Sequence, residues 1–226
     1  NNMEDSIQTK SLDNGNKYVG PIKNGQFQGK GTYYFSNGDR YEGFFLHNKF
    51  HGTGIFYYSN GDKYEGEFKN DFQEGNGILT FSDGEKYIGE FKQNKFNGKG
   101  IYIYKDNEKY EGQYKDGIKE GKGIFYYNNN DKYEGDFKNN VIEGRGRYYY
   151  NNGDKVECDW KNNIKDGNGI FYFKNGNKYE GEFKNDLAEG WGVMKYSNGE
   201  RYEGYWKNYK KDGNGKYFYN NGDRYA

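Results

Sequence analysis

Tyr41-Glu42-Gly43-Phe44-Phe45, a polar loop, Gly52-Thr53-Gly54, Ile55-Phe56-Tyr57-Tyr58, then Ser59-Asn60-Gly61-Asp62-Lys63: this 23-residue passage returns along nearly the whole chain. Its opening Tyr-x-Gly falls at Tyr18, Tyr41, Tyr64, Tyr87, Tyr110, Tyr133, Tyr179 and Tyr202, always at multiples of 23 residues, and Tyr225 falls in register. A strict period of about 20 to 50 residues marks a supersecondary unit that buries its apolar groups only against its neighbours. Function is then expected from a long repetitive surface rather than from a pocket.

Two aromatic-rich stretches separated by turn chemistry read as strands. The tail of the unit is Asn-Gly or Asp-Gly in seven of nine copies, and the exceptions, Asp106-Asn107 and Asn129-Asn130, still tolerate positive φ. Loop length decides which side chains share a face, because one residue of slip moves every side chain to the other side of a sheet. A two-residue Asn60-Gly61 loop would set Tyr57 opposite Tyr64. A three-residue Ser59-Asn60-Gly61 loop, a type I turn followed by a left-handed glycine, instead pairs Phe56 with Tyr64, Gly54 with Gly66 and Gly52 with Phe68.

The column pattern favours the three-residue loop. The column of Tyr58 is aromatic in all nine copies and that of Phe56 is Tyr, Phe, Leu or Met, whereas the column of Ile55 admits Arg147 and Lys216. The odd loop gathers the strict columns and the lead Tyr on one face, with Glu65, Glu67 and Ile78 on the other. Glycine facing glycine leaves a hollow, so a shallow trough walled by Tyr and Phe is predicted. Nine hairpins make about eighteen strands, which at about 4.8 Å each extend on the order of 85 Å. A sheet of that width does not stay flat. The fold expected is all-β: an elongated, twisted, single-layer antiparallel meander of consecutive β-hairpins. Residues 1–17 read as an N-terminal segment with a partial degenerate repeat, 18–224 as nine tandem repeats, and 225–226 as the start of a further, truncated one.

Composition agrees with a thin structure. Only 32% of the 226 residues are hydrophobic, so a deep aliphatic core is excluded, and the apolar surface belongs mainly to 27 Tyr and 17 Phe. Apolar runs such as Ile124–Tyr127 are far shorter than the roughly 20 residues of a spanning helix. A single cysteine, Cys158, and the absence of an Asn-x-Ser/Thr sequon fit a reducing, cytoplasmic setting. Lys+Arg and Asp+Glu are equal at 34 each, so no net field draws the chain toward nucleic acid or anionic lipid.

Tyr64-Glu65-Gly66-Glu67-Phe68-Lys69-Asn70, followed by Gly75-Asn76-Gly77 and a turn at Asp83-Gly84, resembles the MORN (membrane occupation and recognition nexus) repeat. The resemblance spans Tyr18 to Arg224. It implies a meander of hairpins and a place among scaffolds of the cell cortex, cilium and cytoskeleton, proteins linking membranes, or modules beside catalytic domains of lipid kinases and a lysine methyltransferase. The seventh copy departs from the pattern: Val156 replaces Tyr, Cys158 replaces Gly and Trp160 takes the Phe position, read as volume compensation.

No chemistry emerges from the polar residues. His47 and His51 are the only histidines, and Cys158 lies five copies away, roughly 45 Å along such a ribbon, so no shared zinc site forms and no metal or cofactor is expected. Glu42, Glu65, Glu111, Glu134, Glu180 and Glu203 recur in one column, as architectural residues do. The Gly-x-Gly pairs lack the Gly-Lys-Ser/Thr and helix of a phosphate loop. The glycines of Gly144-Arg145-Gly146-Arg147 belong to the repeat, which removes the RNA-binding reading.

The chain is therefore expected to be a non-enzymatic interaction scaffold. Its partner-binding groove is assigned to Tyr41, Phe45, Phe56, Tyr64, Phe68, Tyr87, Phe91, Tyr110, Tyr114, Phe125, Tyr133 and Phe137. Because the sequence stops one step into a further unit, a homodimer through the C-terminal repeats is expected, with Phe183, Trp191, Tyr202, Trp206, Tyr217 and Tyr219 as contacts. Two alternatives stand beside it. One is phosphoinositide or membrane-surface binding through the column Lys23, Lys69, Lys92, Lys115, Lys138, Lys161, Lys184 and Lys207; the other is a targeting module of a larger enzyme.

Overall fold

The structure, a computed structural model, describes residues 6–226, so the first part of the N-terminal segment, 1–5, lies outside the described residues. The chain divides into two compact units, Asn1–Ile118 and Lys119–Ala226. Each is an antiparallel meander of consecutive hairpins, and no helix occurs among the described residues. The first unit holds β1 (Ile7–Ser11), β2 (Lys17–Lys23), β3 (Gln26–Phe27), β4 (Gly29–Tyr34), β5 (Arg40–Leu46), β6 (Lys49–Tyr57), β7 (Lys63–Lys69), β8 (Phe72–Thr80), β9 (Lys86–Lys92), β10 (Lys95–Ile103) and β11 (Lys109–Lys115). The second holds β12 (Ile118–Tyr126), which begins at the boundary, then β13 (Lys132–Lys138), β14 (Val141–Tyr149), β15 (Lys155–Lys161), β16 (Ile164–Tyr172), β17 (Lys178–Lys184), β18 (Leu187–Lys195), β19 (Arg201–Lys207), β20 (Lys210–Phe218) and β21 (Arg224–Tyr225).

The loop between repeats is the three-residue one. Tyr58 N–H donates to Asp62 O at 2.9 Å and Gly61 N–H to Tyr58 O at 3.0 Å, with Gly61 at φ 97°, a conformation that costs glycine little. Strand β6 meets β7 with Gly52 opposite Phe68, Gly54 opposite Gly66 and Phe56 opposite Tyr64. The register that the odd loop dictates is the register found.

The loop inside each repeat is tighter than its polar composition suggests. Lys69 pairs with Phe72, leaving a two-residue turn at Asn70 (φ 49°) and Asp71 (φ 73°). Positive φ at both positions is the type I′ geometry whose twist suits a hairpin, and Asn and Asp tolerate it. Beyond this turn the register slips: Gly66 faces Gly77 while Phe68 faces Gln73, so Glu67 opposes the bulge Glu74-Gly75-Asn76. The Glu67 carboxylate closes that bulge by accepting the Asn76 N–H, and Asp136 does the same for Arg145 N–H at 3.0 Å.

Side chains stitch one repeat to the next at both ends of the hairpins. At the tight turns, Asn48 Oδ1 accepts Phe27 N–H, Asp71 Oδ1 accepts Phe50 N–H and Asn94 Oδ1 accepts Gln73 N–H, each at 2.8 Å. At the wider loops, Asp39 Oδ1 accepts Ser59 N–H at 2.7 Å and Asp62 Oδ1 accepts Ser82 N–H at 2.8 Å. Backbone donors at the tight turns are satisfied in this way by the following copy and those at the wider loops by the preceding one.

Candidate interaction surface

A row of glycines crosses each unit, interrupted in the second by Cys158. In the first it runs Gly31, Gly43, Gly54, Gly66, Gly77, Gly89, Gly100 and Gly112, each opposite the next. Where a repeat opens on tyrosine, that ring folds back over this row. A Cβ placed on Gly77 would stand 2.5 Å from Tyr64 Cε2, so only glycine lets the ring lie flat on the backbone. The phenol then donates to the carbonyl three residues on: Tyr41 to Phe44 O and Tyr64 to Glu67 O at 2.7 Å, Tyr87 to Glu90 O at 2.8 Å.

Neighbouring rings close the cage. Tyr41 stacks on Phe50 at 4.0 Å and meets Phe45 and Phe68 edge-on at 5.2 and 5.0 Å. Tyr18 stacks on Phe27 at 3.9 Å and Tyr87 on Phe96 at 3.8 Å. In the same column Gln73 stands where the ring would lie beneath Tyr64. Burial pushes the Tyr18 phenol up to about 12 and raises Tyr41, Tyr64, Tyr87, Tyr110, Tyr133 and Tyr179 as well.

This geometry sorts the groove residues into two classes. Tyr41, Tyr64, Tyr87, Tyr110 and Tyr133 are 0% exposed, and Phe45, Phe68, Phe91, Tyr114 and Phe137 are 3–6% exposed, so these ten form the floor. Phe56 and Phe125 are half-buried and stand on the rim. Around them the rim includes Tyr33, Phe35, Tyr58, Leu79, Phe81, Tyr102 and Tyr104 in the first unit and Tyr148, Tyr150, Phe171 and Phe173 in the second, all half-buried. Phe50 touches Tyr41 and Phe68 of the floor at 4.0 and 6.0 Å and Phe35 and Phe56 of the rim at 6.2 Å each, which places floor and rim on one face.

The residues expected at a dimer contact separate likewise. Phe183, Tyr202 and Trp206 are buried, Trp206 donating its Nε1–H to Gly192 O at 3.1 Å. Tyr217 is half-buried and Tyr219 exposed, 4.5 Å apart on the aromatic face. Trp191 lies on the opposite face, edge-on to Tyr205 at 5.4 Å, and the two are 48% and 50% exposed.

That opposite face is charged, and its partners follow the repeat. Arg40, Lys63 and Arg201 pair with Glu42, Glu65 and Glu203 at 3.0, 3.7 and 2.8 Å. Arg40, Lys132 and Lys155 also lie over Tyr57, Tyr149 and Tyr172 at 4.2, 4.5 and 4.6 Å. The recurring glutamates are thus matched to the cation before each lead Tyr, and not to the lysine column from Lys23 to Lys207, which is exposed.

In the seventh copy Val156 and Cys158 are both 0% exposed, and the Cys158 side chain occupies the space that a lead ring takes elsewhere. Trp160 holds its place through Nε1–H to Gly146 O at 3.1 Å. Lys165 is buried beside Tyr150 Oη at 3.2 Å and Asp186 Oδ1 at 3.6 Å. Burial pushes the Cys158 thiol up to about 12, so it stays protonated and unreactive. His47 Nδ1 lies 2.9 Å from Gln26 Oε1. No group of three or more metal-ligating side chains occurs among the described residues, and no helix there is long and apolar enough to cross a membrane.

Comparison with known proteins fits this geometry. The MORN repeat profile matches residues 18–40, 41–63, 64–86, 87–109, 110–132, 133–155, 159–178, 179–201 and 202–224, and the chain belongs to the MORN repeat family. The seventh match opens after Val156 and Cys158. Among solved structures, the wild-type TCP10 domain of CPAP from Danio rerio is similar in fold, with a TM-score of 0.52 at 13% identity over 90% of this chain and 95% of that one. The TCP domain of SAS-4 (dCPAP) of Drosophila melanogaster, solved with a proline-rich motif of Ana2, gives 0.43 at 16% identity over 79% and 90%. No curated protein matches the sequence.

Proposed function

We propose that this protein is a non-enzymatic scaffold whose aromatic face holds segments of partner proteins, at the cytoskeleton, the cilium or the cell cortex. The observation that carries this reading is the half-buried rim of Phe35, Phe56, Tyr58, Phe125, Tyr150 and Phe171 above a floor that folding has already buried. A ring-lined face with a rigid floor offers apolar area without a large ordering cost. The recurrent carboxylates serve ion pairs and bulges, and no acid–base pair or activated nucleophile is assembled among the described residues. Proteins captured from cell extract by the wild-type chain, by Phe56→Asp with Phe125→Asp, and by Glu65→Lys on the opposite face test it, with unfolding midpoints as the control. The rim variant is expected to lose the captured set; equal capture by all three overturns the reading.

Self-association through the second unit belongs to the same proposal and rests on the exposed Trp191–Tyr205 pair on an otherwise charged face. Light scattering is expected to give a dimer mass that Trp191→Asp reduces to one chain. A second reading, binding of phosphoinositide-bearing membranes, is favoured by the exposed lysine column whose carboxylate neighbours are engaged elsewhere. Vesicle flotation that depends on the headgroup and falls with salt would support it.

A further inference from the structure

The stack is interrupted at Tyr64: where Phe27, Phe50 and Phe96 lie flat against Tyr18, Tyr41 and Tyr87, the chain places Gln73. A cavity of about 400 Å³ opens at that place on the aromatic face, within the range of small-ligand sites. Phe50, Phe56, Phe68 and Leu79 supply its apolar wall. Its polar lining is Tyr58, Asp62, Asp71, Gln73 and Asn94, with no cation.

The polar groups are fixed in place. Gln73 is 5% exposed and donates Nε2–H to Tyr58 Oη at 2.9 Å, while its Oε1 accepts no hydrogen bond among the described residues. Asp71 is held by Phe50 N–H at 2.8 Å and Asp62 by Ser82 N–H at 2.8 Å, and neither carboxylate is ion-paired among the described residues. An apolar pocket with a spare amide acceptor and two anchored negative charges is complementary to an apolar side chain beside a base.

We infer that this cavity is a specificity subsite for an extended partner segment that inserts an aliphatic side chain next to Arg or Lys. The inference rests on the reading of the aromatic face as a partner-binding surface. The aliphatic group fills the space of the missing ring, a main-chain N–H of the segment donates to Gln73 Oε1, and the basic side chain meets Asp62 and Asp71. Repeats with Phe in the Gln73 column offer no such space, and the others carry Lys119, Ile142, Lys165, Ala188 or Lys211 there, so the amide acceptor marks one register along a face that is otherwise repetitive.

The test is a titration of the isotope-labelled full chain with the acetylated, amidated peptide Ser-Gly-Leu-Arg-Gly-Ser, followed by amide NMR. Shifts at the Gln73 side-chain amide and at the Phe50 and Asn94 backbone amides are expected. Gln73→Phe restores the stack seen at Tyr41 and Tyr87, keeps or raises the melting temperature and weakens binding at least tenfold. Asp71→Asn retains an acceptor for Phe50 N–H, as Asn94 does for Gln73, and weakens the peptide several-fold without unfolding the chain. Replacing Leu by Ser in the peptide removes the shifts. Absence of shifts at these amides, or unchanged affinity in Gln73→Phe, overturns the subsite. If extract proteins are still captured through the rim in that case, the scaffold reading stands and only the subsite falls.

Discussion

The ring of Tyr64 lies across Gly77 so closely that a single methyl group on that glycine would stand 2.5 Å from the ring carbon Cε2. Gly77→Ala is therefore expected to destabilise the chain by about 1–3 kcal/mol through overpacking, read as a fall in the urea midpoint. Tyr64→Val should relieve this cost in Gly77→Ala, giving a coupling of about 0.5–3 kcal/mol. Additive losses would show that the ring and the glycine do not share space.

The seventh copy provides the reverse experiment. Cys158→Gly alone leaves a cavity beside Val156, and Val156→Tyr alone drives a ring into the Cys158 side chain, both of which are fully buried. Each single change is expected to cost about 1–3 kcal/mol, and Val156→Tyr with Cys158→Gly together to be near neutral. A double variant as unstable as the sum of the singles would reject compensation.

Asn94 joins consecutive repeats by accepting the Gln73 N–H at 2.8 Å. Asn94→Ala strands that buried donor and is expected to cost about 1–3 kcal/mol. Asn94→Asp keeps the acceptor, as Asp71 shows at Phe50, and should cost little in a thermal melt.

Alkali should unfold the chain through its phenols. The folded state holds the Tyr18 proton more tightly than the unfolded chain, with its pKa raised from 10.0 to about 12 by burial, and the other lead tyrosines shift the same way. Their contribution is complete below pH 10.0 and is lost as pH rises through the folded values. Tyrosinate absorbance is expected to appear together with loss of β-sheet signal above that pH. Tyrosinate formation in a still-folded chain would contradict the burial of these rings.

The hairpin register was legible because an odd loop and two strict columns leave one parity, and Phe56 does face Tyr64. The burial of the lead tyrosines was not. The ring that covers Tyr41 is Phe50, which sits in a stretch that reads as a polar loop, and the bulge at Gly52 hides which face it joins. Local alternation carries no signal across a bulge, so floor and rim could not be told apart. The position of Glu67 was equally silent: only the bulge geometry gives its carboxylate a structural duty. The Gln73 exchange was visible as a letter, but it has meaning only once the stacks at Phe27, Phe50 and Phe96 are known.

Because each lead phenol is folded down onto the backbone that carries it, a hairpin brings its own roof and needs no opposing sheet. Lengthening such a protein asks for nothing but another copy of the same gene segment, with no barrel to close and no second layer to match. Selection can then adjust reach by duplication while leaving single letters, such as the one at Gln73, free to mark an address along the track.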